Sequence, residues 1–577
     1  MKYFPIGVAG HVDHGKTSLV RALTSIDTDR LPEEKLRGMS IDIGFAFLDF
    51  PQRGLRVEVI DIPGHERFIK NAICGLAVVW GVLLVVDASE GVMPQTVEHL
   101  KVAKSFGIEE ILVALTKSDR VDAETIELAK MEVLEVFERE GFKAFGLYAV
   151  SSLTGYGIDD LKEGLGAYAE KNLRKAEDDL FRFYVDSAFS VKGYGTVLRG
   201  SCVSGKVLEG DTVYLEPLGI KCKVRKMQNH GIFVKEGRAG ERLAINVSEL
   251  EPKKVQRGYF LTKGIRTSNK VIARLQVAPK GLCYVFLGMC EVAFHYRLLH
   301  DDIYLLRLSE PVPAVRGDVG PVLNSEGELV GQYEIIHPLP VRTSKKFIRE
   351  HLAVLLEKPL EYLLLERGVR GLTAEELFSF FGRAVALPQG VKVGGKFYHP
   401  QSLEELSDRI KSLLSERAGI LPISELKSRL GISEEVVELL LRELKDTKVV
   451  EGYLLDTKKA NLEELEGYRE LINLLSTAIR EEKELEPYKD YLAIAVKKGD
   501  VYSLGDYLYV SRSLFEEFVI RLRKLGAEFS LQQAKESLKL TRKYLIPILE
   551  HMDRMGITKR QNDKRVFYVK KPNSEQL

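Results

Sequence analysis

A chain of 577 residues, 45% apolar and 29% charged, is too long for one hydrophobic core and reads as about three to five globular domains. Its formal net charge of +1 excludes a polyanion-binding surface spread over the whole molecule, although residues 511–577 concentrate 15 Lys and Arg against 8 Asp and Glu. Five cysteines (Cys74, Cys202, Cys222, Cys283, Cys290), odd in number and without a C-x-x-C pair, fit reduced thiols better than a disulfide frame or zinc site, and the absence of a signal-like start or a bilayer-length apolar run predicts a cytoplasmic protein without membrane contact.

From the N-terminus, strands are expected at residues 4–9, 57–61, 81–87, 111–116 and 146–151, alternating with helical patterns at 17–23, 96–106 and 123–140. Such alternation predicts an α/β domain over 1–173, with a parallel sheet covered by helices on both faces. Gly10-His11-Val12-Asp13-His14-Gly15-Lys16-Thr17 follows the first strand and opens the first helix, satisfying G-x-x-x-x-G-K-[ST] in the context that P-loop needs. Its glycines let the backbone fold round a phosphate chain; Lys16 would reach the β/γ-phosphates and Thr17 would offer its hydroxyl to Mg²⁺. Asp61-Ile62-Pro63-Gly64-His65-Glu66 ends the next strand, where Asp61 can hold the metal through water and Gly64 lets an N–H swing onto a γ-phosphate. Thr116-Lys117-Ser118-Asp119 ends another strand. The Asp119 carboxylate can accept from both N1–H and N2–H₂ of guanine, a donor pair adenine lacks, so GTP is selected over ATP. Ser151-Ser152-Leu153 closes the fifth strand and would present a backbone N–H to guanine O6. Together these elements predict a domain that binds GTP and hydrolyses it to GDP.

From about residue 181 short strands rich in Val, Tyr and Thr are punctuated by Gly, and a similar stretch runs over 271–336; two β-barrels are expected, at 174–264 and 265–344. Beyond His337-Pro338-Leu339-Pro340 the pattern turns helical. Aromatic anchors at Phe397, Tyr453, Tyr507 and Phe567 recur 56, 54 and 60 residues apart, each after a helical stretch, which predicts a helix-rich tandem winged-helix array over 345–577 with a last unit at about 511–577.

GHVDHGKT, DIPGHE, TKSD and SSL resemble the boxes of translational GTPases of the elongation-factor class. More narrowly, RGMSIDIGFAFLDF, VDASEGVMPQTVEHL, FRFYVDSAFSVKGYGTVLRG and TRKYLIPILEHMDRMGITKRQNDKRVFYV are similar to the selenocysteine-specific elongation factors, whose bacterial forms carry a winged-helix extension. The resemblance implies GTP/GDP and Mg²⁺ as cofactors, with Asp13, His14, Gly15 and Ser18 joining Lys16 and Thr17 around the nucleotide and His65 positioning the attacking water. It also implies that Ser40, in the stretch 37–42, is the γ-phosphate-sensing hydroxyl and a metal ligand where the family usually has Thr, and that Thr116 stands for the commoner Asn. The implied task is delivery of selenocysteinyl-tRNA to the ribosome at recoded UGA codons, guided by an mRNA hairpin, by a monomer. A selenol is largely ionised at neutral pH, so a cationic pocket favours it over serine; Arg242 and Asp186 match that pocket, and Ser187 replaces a second Arg often found there. Arg542, Lys543, Lys559, Arg560, Lys564 and Arg565 would clamp the hairpin phosphates. Two alternatives stay open: a general or initiation-type tRNA-delivering GTPase, and a GTP-regulated DNA-binding winged-helix protein.

Overall fold

The computed structural model describes residues 1–577 except 29–39, 249, 265–266, 387–389, 418, 445–446, 451, 457–461, 463–465, 506 and 569–577. It divides into two compact units, Met1–Arg367 with Leu372–Gln389, and Gly368–Gly371 with Gly390–Leu577.

The first unit opens with a six-stranded sheet of β1 (Lys2–Gly10), β2 (Gly44–Phe50), β3 (Leu55–Asp61), β4 (Gly81–Asp87), β5 (Glu110–Thr116) and β6 (Lys143–Ala149), in the order β2-β3-β1-β4-β5-β6. β4 is buried at every position, as an unbroken Gly-Val-Leu-Leu-Val-Val-Asp run between two helical layers requires. α1 (Lys16–Thr24) and α5 (Ile158–Lys171) close one core with Phe4, Ile6 and Val8; α2 (Ile69–Leu76), α3 (Pro94–Ser105) and α4 (Ala123–Glu140) close the other. The sheet is not wholly parallel, because β2 runs antiparallel to β3, from Gly44 opposite Asp61 to Phe50 opposite Leu55. A tight turn at Pro51–Arg53, ended by Gly54 at φ 58°, joins them, so no crossover helix is needed and the strand–helix alternation carries no sign of the pair.

Two barrels follow. The first closes in the order Thr212–Glu216, Phe260–Thr262, Arg182–Val191, Gly195–Ser204, Arg242–Val247, Ile220–Asn229, whose first and last strands pair. The second, Ser268–Leu275 through Leu329–His337, is a closed six-stranded ring. Their interiors are separate clusters of Val, Leu, Ile and Phe that include Cys202 and Cys222 in one and Cys283 and Cys290 in the other, all free thiols.

The second unit repeats one design: a helix, a short strand, further helices and a two-stranded wing. In the last copy these are Arg512–Arg523, Glu528–Ser530, Leu531–Leu538, Arg542–Arg554 and the wing Thr558–Gln561/Lys564–Phe567, with its three strands in one sheet. The copies at 400–456 and 466–511 have three-stranded sheets of the same order, and a hairpin at Val391–Val393/Lys396–Tyr398 belongs to an earlier one. Phe397, Tyr453 and Phe567 lie in wing strands. Tyr507 does not: it sits in the turn at φ 60°, 75% exposed, and Leu508 takes the buried position. No helix among the described residues is long and apolar enough to cross a membrane.

The two barrels are fastened by Arg182, whose Nη1 donates to Asp318 Oδ1 at 2.8 Å and Oδ2 at 2.9 Å, with both side chains mostly buried. Removing one partner of such a pair strands the other charge, at about 3–5 kcal/mol, whereas removing both spares that penalty. Arg182→Met should therefore lower the thermal midpoint more than Arg182→Met/Asp318→Asn does, as read by calorimetry. Equal shifts would show that the pair is not desolvated as described.

Candidate functional site

β1 is the third strand of the sheet, flanked by β3 and β4, and the C-terminal ends of β1, β3, β5 and β6 deliver the four sequence elements to one edge. This is where parallel α/β sheets bind ligands. The loop after β1 is shaped by backbone: Gly10 has φ 144° and a Cβ there would lie 2.2 Å from Val85 O, while Asp13 (φ 63°, exposed) and Gly15 (φ 82°) also occupy the left-handed region. Three side chains staple it. Val12 N–H donates to Gln95 Oε1 at 3.2 Å, Gly10 N–H to His99 Nδ1 at 3.1 Å, and the Thr116 hydroxyl to His14 O at 2.7 Å. His99 is buried, and that burial lowers its pKa to about 3, so it stays the neutral acceptor the loop needs. His14 is buried too; its Nδ1 accepts from Asp87 N–H at 3.2 Å, and burial lowers its pKa. Ser18 is exposed on the first turn of α1.

Lys16 is 6% exposed, its Nζ donating to Gly10 O at 3.1 Å and His11 O at 2.7 Å. Burial lowers its pKa to about 8. Beside it, Thr17 Oγ1 donates to Asp61 Oδ2 at 2.8 Å and lies 3.0 Å from Ser40 Oγ, and Thr28 Oγ1 donates to the same Asp61 oxygen at 2.7 Å. The Thr17 and Ser40 hydroxyls and the Asp61 carboxylate, at hydrogen-bond spacing, are a hard-oxygen donor set of the kind that suits Mg²⁺. Residues 37–39 of the stretch holding Ser40 lie outside the described residues.

Gly64 is pressed on this loop: a Cβ there would lie 2.4 Å from Lys16 Nζ and 2.8 Å from Val12 N. His65 is half-buried; its Nδ1 accepts from Arg67 N–H at 3.2 Å. At the far end Lys117, at φ 55°, places its Nζ 2.6 Å from the buried Asp87, and Asp119 is exposed in the turn Ser118–Arg120. Ser151 N–H donates to Tyr156 O at 2.9 Å and its Oγ accepts from Thr154 N–H at 3.1 Å. Ser152 is half-buried and Leu153 is 86% exposed. Gln95, His99, Thr28 and Asp87 were not anticipated. The only sequence sign of the first two is a polar pair four residues apart on an otherwise buried helix face.

Elsewhere in the first unit, Arg242 Nη1 donates to Asp186 Oδ2 at 2.5 Å, Ser187 Oγ donates to Asp186 Oδ1 at 3.0 Å, and the Arg242 guanidinium lies 3.2 Å from the centroid of the Phe45 ring of β2. Burial works to lower the Arg242 pKa and the Asp186 carboxylate opposes it. Of the six C-terminal cations, Arg542, Lys559 and Arg560 are exposed, Lys543 pairs with Glu481, and Lys564 pairs with Glu528. Arg565 turns inward, its Nε 3.0 Å from Asp553 Oδ2.

Two outcomes test this geometry. A phosphate chain replacing two carbonyls around Lys16 favours its charged form, so nucleotide binding takes up a proton once pH exceeds the free-loop value of about 8. GDP affinity should be flat below about pH 7 and fall by up to about tenfold per pH unit above about 8, measured by fluorescent GDP titration; a flat profile throughout would contradict the buried ammonium. Gly64→Ala, whose methyl meets Lys16 Nζ and Val12 N, should weaken GTP binding roughly tenfold or more and GDP binding less, by the same titration.

Comparison with known proteins gives this geometry a family. The model of the elongation factor Tu GTP-binding domain matches residues 1–171, and that of the winged helix of elongation factor SelB matches 521–567. The selenocysteine-specific elongation factor of Desulfomicrobium baculatum is 31% identical over 97% of this chain and 99% of its own. A crystal structure of bacterial selenocysteine-specific elongation factor EF-Sec superposes with a TM-score of 0.83 at 43% identity, covering 99% of this chain and 100% of that one. SelB from Methanococcus maripaludis in complex with the GTP analogue GppNHp is 27% identical with a TM-score of 0.51, covering 59% of this chain and 80% of that one. The chain thus belongs to the selenocysteine-specific elongation factors, translational GTPases that bind and hydrolyse GTP.

Proposed function

We propose that this chain is a cytoplasmic, GTP-gated carrier of selenocysteinyl-tRNA that acts on the ribosome at recoded UGA codons, with domains at 1–173, 174–264, 265–344 and 345–577. The observation that carries this reading is Arg242: a guanidinium held between Asp186 and the Phe45 ring is a cation kept out of water, where its attraction for a selenolate over a neutral seryl hydroxyl is strongest.

In the GTP state Lys16 would hold the β/γ-phosphates, and Thr17, Ser40 and Asp61 would hold Mg²⁺, which would supply charge neutralisation to the phosphates. Gly64 presents its N–H to the γ-phosphate and Asp119 reads guanine, with Ser151, Ser152 and Leu153 capping the base. Ribosome docking brings His65 onto the attacking water, and loss of the γ-phosphate releases Ser40 and Gly64. The last winged-helix unit grips an mRNA hairpin through Arg542, Lys559 and Arg560, helped by Lys543 and Lys564, while the inward Arg565 braces the wing against Asp553.

Three measurements decide. His65→Ala should cut ribosome-stimulated GTP hydrolysis by about 100-fold or more and leave GTP affinity within about twofold; full turnover in this variant rejects the role. Protection of the aminoacyl ester should be stronger for selenocysteinyl- than seryl-tRNA and become equal in Arg242→Met; equal protection already in the wild type supports a general tRNA carrier instead. Arg542→Ala/Lys559→Ala/Arg560→Ala should abolish the hairpin mobility shift without touching GTP hydrolysis, and tight duplex-DNA binding would point to the DNA-reading alternative.

A further inference from the structure

Arg257 has no part in the reading above, yet its guanidinium reaches three places at once. Its Nη2 lies 2.9 Å from both carboxylate oxygens of Asp42, its Nη1 donates to Asn71 Oδ1 at 3.3 Å, and its Nε points at the Asp186 backbone oxygen at 3.5 Å. Asn71 returns the favour to the same segment, since its Nδ2 donates to Ile41 O at 3.0 Å. Asp42 and Ile41 directly follow Ser40, and Asn71 lies on α2, downstream of Gly64 and His65.

The backbone beneath Arg257 is fixed. Gly258 N–H donates to Val185 O at 3.0 Å and Val185 N–H to Tyr259 O at 2.8 Å, which locks Arg257 beside Asp186. Gly258 has φ 94°, and a Cβ there would lie 2.7 Å from Met289 O. Asp42 is equally constrained, its Oδ1 accepting from Ile43 N–H at 2.9 Å. One short stretch of chain therefore carries Ser40 on Thr17, Asp42 on Arg257 and Phe45 under Arg242.

We infer that Arg257 is a positioning residue of the aminoacyl pocket, and that its ion pair with Asp42 transmits the nucleotide state to that pocket. The inference rests on the reading of Arg242 and Asp186 as the aminoacyl pocket. With Ser40 on Thr17, Asp42 neutralises Arg257 and leaves the Asp186 carboxylate to Arg242. When the segment leaves, Arg257 loses its carboxylate partner and becomes a second cation competing for Asp186. The element with two positions is the stretch 40–43, and both sites bias it, which is what coupling between sites requires.

The measure is the ratio of selenocysteinyl-tRNA affinities with GppNHp and with GDP, from ester protection on the full chain. Asp42→Asn and Arg257→Gln should each reduce that ratio about tenfold, with tRNA-free GTP affinity within about twofold of wild type, and Asp42→Arg/Arg257→Asp should restore it. By reciprocity, selenocysteinyl-tRNA should slow GTP release from the wild type and fail to do so from Asp42→Asn. Arg257→Lys, which keeps the charge, guards against misfolding and should retain most of the ratio. If the single variants weaken tRNA binding equally in both nucleotide states, or the charge swap restores nothing, the link is wrong. If the wild type instead fails to distinguish selenocysteinyl- from seryl-tRNA while its nucleotide ratio still falls in Asp42→Asn, the link stands and the pocket reading fails.

Discussion

One carboxylate organises the nucleotide edge. Asp61 ends β3 and accepts hydrogen bonds from Thr17 of α1 and from Thr28, while Ser40 closes on the Thr17 hydroxyl. Three stretches distant in sequence are thereby held at one point, where only small residues fit: a Cβ on Gly44, which faces Asp61 across the β2–β3 hairpin, would lie 2.6 Å from Thr28 Cβ. Since a metal ion would substitute for these hydrogen bonds with the same oxygens, Thr17 and Asp61 already stand close to what a loaded site needs.

The same edge combines fixed and labile parts. The P-loop is pinned by Gln95, by a His99 kept neutral through burial, and by Thr116, so its shape does not await a ligand. Lys16, by contrast, donates to two carbonyls that a phosphate outbids, and Ser40 Oγ lies 3.0 Å from the Thr17 hydroxyl. A rigid cradle beside a releasable segment is the division of labour a switch requires, because binding energy then goes into moving one element rather than shaping the whole site.

The loop after β1 was legible because its pattern is local: glycine freedom, a lysine and a hydroxyl at fixed spacing on a strand–helix junction, where Gly10, Gly15, Lys16 and Thr17 stand. The barrels and the helical array were legible from turn punctuation and a recurring aromatic. What escaped was whatever depends on contacts across long sequence separations. β2 pairs through a hairpin that alternation does not signal, Tyr507 mimicked a core aromatic while standing in a turn, and Arg565 was counted with the outward cations although Asp553 holds it inward. Arg257 and Asp42 are 215 residues apart, and nothing in either neighbourhood announces the pair.

The C-terminal repeats do not close their cores separately. Leu504, Leu508 and Val510 of one copy share a cluster with Phe515, Phe529 and Ile548 of the next, Arg554 donates to Leu504 O at 2.9 Å, and Ile420 and Leu455 of the preceding copy pack with Ile494. Beads on a string would let a load at one end dissipate in the joints. Here the neighbouring copies share core residues, so a substitution in one copy's core disturbs the packing of the next as well.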